Sequence, residues 1–579
     1  MAFFQLILVG LFLTIFGGGE YTAKVGNVLY QPTFPGYDGP PPLITGKVIN
    51  NCNNPQFGGI AGIDVANPLN PQQVSLLQAP HDVAFAGVDS ATLGNGYQVV
   101  AGGNTPCYNW ALLPDVSTDL NPKINGLIQG KGGASWWDVR NPSDPRILPD
   151  ITVSRDAASL KRREILLAVA YNMTDVASQG QTFFETADTF AEYVFQSADD
   201  AVIRPYFFKQ NGRDYMLLNT ISGDLGLAIF DVSNPNAPRQ VTTYSPQMNY
   251  LLRVKDVCKD IPPPSNSSAY KYRYFEDLNP VHNPNDLLAM QTLATAYWNR
   301  VNEFSLPLTT GMVIQGVSYT LTFHTHYIEA QQAMLVSASA DFFYLDVSNL
   351  QKPKIVFDLS DRQQFPTLQT ADGFDMIEYY TRFGKEVAPG YHNSEVYTFD
   401  NRVLAVVDHD NYYVYFNGSN ALNTAVSVWD LTNASDPVLL TFIESVGTET
   451  HTVHLAEFGT DLFLYATDLE MGVKVYNLTD PEAPELLTVA TGTFVLELPQ
   501  GQGNITLSYP NSQSGFTPYD FGGYPEPFRT LSYITNLPGT IDLVPYQVVP
   551  LPFDCLVDGE FVYMQARSGV TYIFQQTFE

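Results

Sequence analysis

Eight histidines are the residues of this 579-residue chain whose type and spacing could do chemistry, and they are unevenly placed. His324 and His326 stand two apart in "FHTHY", and His451 and His454 three apart in "HTVHLAE". His392 opens "YHNSEV" and His81 opens "HDVAFAG", while His282 and His409 fall off the pattern. Neutral imidazole is a good ligand for transition metals, so several of these brought together would make a metal site. The competing reading is structural, with each ring hydrogen-bonded to a neighbouring strand. The acidic clusters "DHD" (408–410) and "SADDA" (197–201) lack the ligand spacing of a calcium loop and read as solvated. Ca2+ is therefore a weaker expectation than a transition metal. The chain has no G-x-S-x-G, no P-loop, no H-E-x-x-H and no C-x-x-C.

What must position the histidines is a recurring unit. "GLAIFDVSNPNAP" at Gly226 has relatives in "GGIAGIDVANPLNP" at Gly58, "GGASWWDVRNPSDP" at Gly132 and "DFFYLDVSNLQKP" at Asp341. "AVSVWDLTNASDP" at Ala425 and "GVKVYNLTDPEAP" at Gly472 follow, and "SGVTYIF" at Ser568 is a seventh copy without the trailing turn. In each, four or five apolar residues suit a strand buried on both faces. Asp64, Asp138, Asp231, Asp346 and Asp430, with Asn477 in the sixth copy, are placed to cap the following turn. The prolines stop the strand, and a further short β run follows.

Six copies are preceded by a clear hairpin: 81–103, 202–222, 326–340, 392–410, 451–468 and 553–567. Four strands per repeat in series make the blade of a β-propeller. The fifth and sixth copies lie 47 residues apart, a normal blade length. Because the first strand of a blade lines the propeller's central channel, histidines at these strand starts are expected to converge near the axis.

The repeat resembles the LVIVD repeat, read as G-L-x-I-V-D-V-S-x-P-x-x-P, from about residue 22 to residue 579. The resemblance implies an often extracellular propeller, in most members without a defined activity. Similar selenium-binding and methanethiol oxidase propellers hold a metal on axial histidines. Their full motifs are not present, so no catalytic residue is carried over. Asn477 in place of Asp, the missing first Pro of the fourth copy and the short seventh copy depart from the pattern.

The expected fold is all-β, a propeller of four-stranded antiparallel blades. Seven blades are favoured, with six as the alternative. The last blade needs a fourth strand, and residues 22–50 hold spare β runs, "KVGNVLYQ" and "PLITGKVI". An N-terminal strand is thus expected to close the ring. Insertions are expected at about 154–197 and 245–322, with helical patterning, and at 492–545, rich in Gly, Pro and Tyr. They could cover a site or be decorative.

The remaining features concern location. Residues 3–16 are an apolar run followed by three glycines, which reads as a signal peptide over 1–19, with an uncleaved anchor as the alternative. No other segment is long enough to span a membrane. Cys52, Cys107, Cys258 and Cys555 make an even count that allows two disulfides. We favour Cys52–Cys107, as both lie in the N-terminal part, and hence Cys258–Cys555. Sequons stand at Asn172, Asn266, Asn417, Asn433, Asn477 and Asn504. A net charge of -30 argues against nucleic acid. A secreted, monomeric, glycosylated module that binds a protein or glycan is the leading expectation. A metal-dependent enzyme, such as an oxidoreductase, with a histidine-lined axial site is the other.

Overall fold

The computed structural model describes residues 4–13, 21–33, 43–44, 59–78, 83–106, 133–155, 202–220, 226–244, 322–338, 342–358, 393–409, 413–416, 419–434, 436–446, 450–468, 472–490, 494–496, 505–506, 546–548, 552–566 and 570–578. Among them every regular element is a strand, apart from one 3-10 turn at Glu329–Gln331. The helical patterns at 154–197 and 245–322 lie outside the described residues. No described helix is long and apolar enough to cross a membrane, which says nothing of crossing by strands.

The chain divides into two compact units, one of residues 1–150, 393–432 and 438–579, the other of residues 151–392 and 433–437. The first unit opens with β1 (Phe4–Leu13), β2 (Ala23–Val25), β3 (Val28–Thr33), β4 (Leu43–Ile44), β5 (Gly59–Asp64) and β6 (Gln72–Leu77). It continues with β7 (Val83–Thr92), β8 (Gln98–Pro106), β9 (Ala134–Asp138) and β10 (Arg146–Ile147). The second unit holds β11 (Val202–Gln210), β12 (Arg213–Thr220), β13 (Leu227–Asp231), β14 (Arg239–Tyr244), β15 (Thr322–Ile328), β16 (Ala333–Ala338), β17 (Phe342–Asp346) and β18 (Lys354–Asp358). The first unit resumes with β19 (Ser394–Phe399), β20 (Arg402–His409), β21 (Tyr413–Phe416), β22 (Ser419–Asp430) and β23 (Val438–Val446). Then come β24 (Thr450–Phe458), β25 (Asp461–Asp468), β26 (Gly472–Asn477), β27 (Glu485–Ala490), β28 (Phe494–Leu496), β29 (Ile505–Thr506) and β30 (Tyr546–Val548). The last are β31 (Pro552–Asp558), β32 (Phe561–Ala566) and β33 (Val570–Phe578).

Seven antiparallel sheets follow from these strands, one per repeat: β2-β3-β5-β6, β7-β8-β9-β10, β11 to β14, β15 to β18, β19-β20-β22-β23, β24 to β27, and β31-β32-β33-β1. The fold is all-β, with seven propeller blades. In the fifth, β21 adds a small hairpin on β22. The six expected hairpins are present, and the seventh is β2–β3, formed by "KVGNVLYQ" around Gly26, whose φ of 55 suits glycine.

An N-terminal strand does close the C-terminal blade, but it comes from elsewhere than residues 22–50. It is β1, paired antiparallel with β33 from Phe4↔Phe578 to Leu13↔Val570. "KVGNVLYQ" is committed to the first blade, and of "PLITGKVI" the described part, Leu43–Ile44, pairs with Ile505–Thr506. Of the 492–545 insertion, Phe494–Leu496 pairs with Tyr546–Val548.

Apolar surface between blades holds the first unit together. Tyr30, Ile60, Phe85, Val100 and Trp137 join blades 1 and 2, and Leu29, Ile63, Tyr563 and Ile573 join blade 7 to blade 1. Tyr465, Val475, Met564 and Phe574 join blades 6 and 7, and Leu404, Val428, Leu455 and Leu464 join blades 5 and 6. In the second unit Leu217, Ile229, Met334 and Phe343 do the same for blades 3 and 4. At about 25 cal/mol per Å2 of apolar surface removed from water, such interfaces dominate the favourable energy.

The turn after each third strand behaves as its residues require. The side chain two residues back accepts the backbone N–H of Ala66 (from Asp64, 2.9 Å), Arg140 (Asp138, 3.2 Å), Ser233 (Asp231, 3.1 Å), Ser348 (Asp346, 2.9 Å), Thr432 (Asp430, 2.8 Å) and Thr479 (Asn477, 2.9 Å). A second cap follows, which the sequence reading missed: Asn67, Asn141, Asn234, Asn349 and Asp480 accept the N–H two residues on. The residue after the first cap ties the turn to the leading hairpin, as in Val232 N–H to Asp214 O at 2.9 Å. Gln576 donates to Glu560 O in the same way, which puts Gln575 at the cap position of the seventh copy.

The fourth strand is also stereotyped. Its pairing skips one residue between the second and first residues before the cap, a β-bulge, and the skipped residues are Val74, Val241, Val356, Leu440 and Leu487.

Candidate functional site

The ladders put the first strands in a common register. Stepping from two residues before the cap to its second-strand partner, then to that residue's first-strand partner, reaches one position per blade. It is Ala23, Asp89, Tyr206, His326, Glu395, His454 and Leu556 in blades 1 to 7. His326 and His454 are thus equivalent residues, each the fifth of its strand rather than at the strand start.

In the first unit this position makes a contact between blades. His454 Nδ1 on β24 lies 2.8 Å from Glu395 Oε2 on β19, and the same oxygen accepts the Leu455 N–H at 2.9 Å. The two side chains keep 24% and 18% of their surface, so the pair is shielded yet reachable. A carboxylate that orients an imidazole is an arrangement used in acid–base and ligand chemistry. Beside it the Tyr397 hydroxyl donates to Glu457 at 3.1 Å, and its pKa is raised by burial first and by Glu457 second. Next along, Asp554 Oδ2 accepts the Thr22 N–H at 2.7 Å, which ties blade 7 to blade 1. His451 is buried and is itself the residue skipped at the β24 bulge.

In the second unit Tyr206 lies between two histidines, with ring centres 6.2 Å from His324 and 5.9 Å from His326. Its hydroxyl accepts the Tyr327 N–H at 3.1 Å. Burial, then Glu329 and Tyr215, push the Tyr327 phenol up to about 12.

Of the six histidines read as a metal set, His81 and His392 lie outside the described residues. Among the described residues no three His, Cys, Asp or Glu side chains are placed to hold a metal. His454 instead meets a carboxylate, and His324 and His326 flank a tyrosine.

A polar second-strand position escaped the sequence reading. Asn219, Ser337, Asp408, Thr467 and Gln565 are fully buried and occupy equivalent places, opposite the residue four before the cap. Asp408 accepts the Asn393 N–H at 2.7 Å, Asn219 accepts the Thr325 hydroxyl at 2.7 Å, and Thr467 accepts the Thr452 N–H at 2.8 Å. These three satisfy first-strand backbone and neighbouring side chains. The residue types differ so much that only strand pairing reveals the pattern.

Cys555 is a buried free thiol, so the expected Cys258–Cys555 disulfide is not formed. Its side chain belongs to the apolar core of blades 6 and 7, and burial, then Asp554 and Glu395, push the thiol pKa well up. Cys52, Cys107 and Cys258 lie outside the described residues, as do Asn172, Asn266, Asn417 and Asn504. Asn433 is exposed and Asn477 half-buried.

No family model matches this chain, and no curated protein matches it. Among solved structures it is similar to the computationally designed Ika8 protein, at 8% identity and a TM-score of 0.36, with 99% of this chain and 100% of that chain covered.

Proposed function

We propose that this chain is a secreted, N-glycosylated propeller of the LVIVD-repeat type that acts as a binding module for a protein or glycan. One observation carries the reading. The turn caps, the hairpin tie and the bulge recur from blade to blade, whereas the first-strand position changes to Ala23, Asp89, Tyr206, His326, Glu395, His454 and Leu556. The recurring turn elements serve the scaffold, whereas five blades carry Asp89, Tyr206, His326, Glu395 and His454 at a partly exposed first-strand position, the other two having apolar Ala23 and Leu556, and polar and aromatic groups that differ and keep some exposure suit recognition. The export part rests on the apolar N-terminal run and the sequons. A metal-dependent enzyme has no set of donors to rest on among the described residues.

Expression in a eukaryotic secretory host tests the export part. The chain is expected in the medium, with a mass that falls on treatment with peptide N-glycosidase. A chain retained in the cytosol, with no mass change, would overturn it.

A further inference from the structure

The N-terminal run has two readings that conflict: a leader to be discarded, and the strand β1. The pairing register separates them. In blades 1, 3, 4, 5 and 6 the fourth strand faces the cap residue, then its predecessor, then skips one residue. In blade 7 Gln575 stands at the cap position. Ile7 pairs with Gln575, Leu8 with Phe574, and Gly10 with Ile573, so Val9 is skipped. The bulge therefore falls at the same step as in the other blades, and the skipped residue is again Val or Leu. The local sequence agrees: "LVG" (8–10) matches "QVS" (73–75), "QVT" (240–242) and "LLT" (486–488), a Val or Leu followed by a small residue. An arbitrary apolar segment laid on an open edge has no reason to reproduce this step.

We propose that Phe4–Leu13 is the fourth strand of the seventh repeat, carried at the opposite end of the chain, and is retained in the folded protein. This rests on the export reading only in assigning the same residues the targeting role; the run would act first as an uncleaved export signal and then as β1. Losing it would leave blade 7 with three strands, one fewer than the other blades, and with β33 as its outer edge in place of β1.

The test has two arms. The first is intact mass and N-terminal sequencing of the deglycosylated chain from the medium of a eukaryotic host. A chain that still contains residues 4–13 is expected, and one that begins near residue 20 would overturn the proposal. The second arm is hydrogen exchange of β33 in the full chain, in Leu8→Pro, and in a chain whose residues 1–19 are replaced by a foreign cleavable leader. The amides of β33 that face β1 should exchange at least about 10-fold faster in both variants, with β26 unchanged, since opening then no longer requires unfolding of the blade. Equal exchange in all three would overturn the proposal. Should the chain not be exported at all, the export reading fails, and the same exchange measurement on protein from the cytosol still decides the strand.

Discussion

Glu395 Oε2 receives two donors from the next blade, His454 Nδ1 at 2.8 Å and the Leu455 backbone N–H at 2.9 Å. One carboxylate thus fixes a partly exposed ring and satisfies a strand N–H at the boundary of blades 5 and 6. Glu395→Ala strands that N–H and is expected to cost about 1–3 kcal/mol in urea unfolding, the usual penalty for an orphaned partly buried polar group. Glu395→Gln keeps an acceptor and should cost about half as much or less. Equal losses for the two variants would contradict this division of roles.

Acid should weaken the blade turns. The Asp138 carboxyl is held below 3.8 chiefly by its hydrogen bond from Arg140, and that of Asp346 by hydrogen bonds from Ser348. For Asp231 and Asp430 burial is the largest influence and pulls upward. It is outweighed by Ser233 with Arg213, and by Thr432 with Arg402. A carboxyl whose folded pKa is depressed stabilises the fold at pH above its unfolded value and loses that contribution as pH falls through the folded value. Unfolding midpoints should therefore be insensitive to these groups near neutrality and fall below about pH 4. Asp231→Asn should flatten that decline; an unchanged acid limb would count against the assignment.

The sixth blade carries Asn477 where five others carry Asp, and its Oδ1 still accepts the Thr479 N–H at 2.9 Å. The cap needs only this oxygen, which leaves the side-chain nitrogen for a glycan. Asn477→Asp should keep the melting temperature and remove one glycan from protein made in a secretory host. Asn477→Ala should remove the glycan and also lose about 1 kcal/mol with the hydrogen bond. Peptide mapping with calorimetry reads both, and an Asp variant as unstable as the Ala variant would refute the cap.

Cys555 should resist alkylation at about pH 8 in the folded protein and react on unfolding, because a buried thiol with a raised pKa offers little thiolate. Fast labelling of Cys555 in native protein would show that the blade 6–7 core is open.

How much was legible depended on distance along the chain. The caps act over two residues, so Asp64 to Asn477 spelled out the repeat and its blades. The first hairpin was missed because β2 has only three residues and turns at Gly26–Asn27. The closing strand was sought in residues 22–50 because an apolar run at 4–13 has the composition of a leader, and a bulge register exists only between strands. His326 and His454 stood out in the sequence as residue types, but their contacts, Tyr206 and Glu395, lie 120 and 59 residues away and share no motif with them.

The most direct test of the proposed binding role is binding of the purified chain to arrays of extracellular glycans and protein ectodomains. It should be compared with a His326→Ala, His454→Ala double variant and with Leu69→Ser, a change on an exposed turn of blade 1. A ligand bound by the wild type and by Leu69→Ser, and lost in the double variant while its circular dichroism still reports the folded β-sheet, is expected. A ligand kept by the double variant and lost in Leu69→Ser, or no ligand on either array, would contradict the assignment.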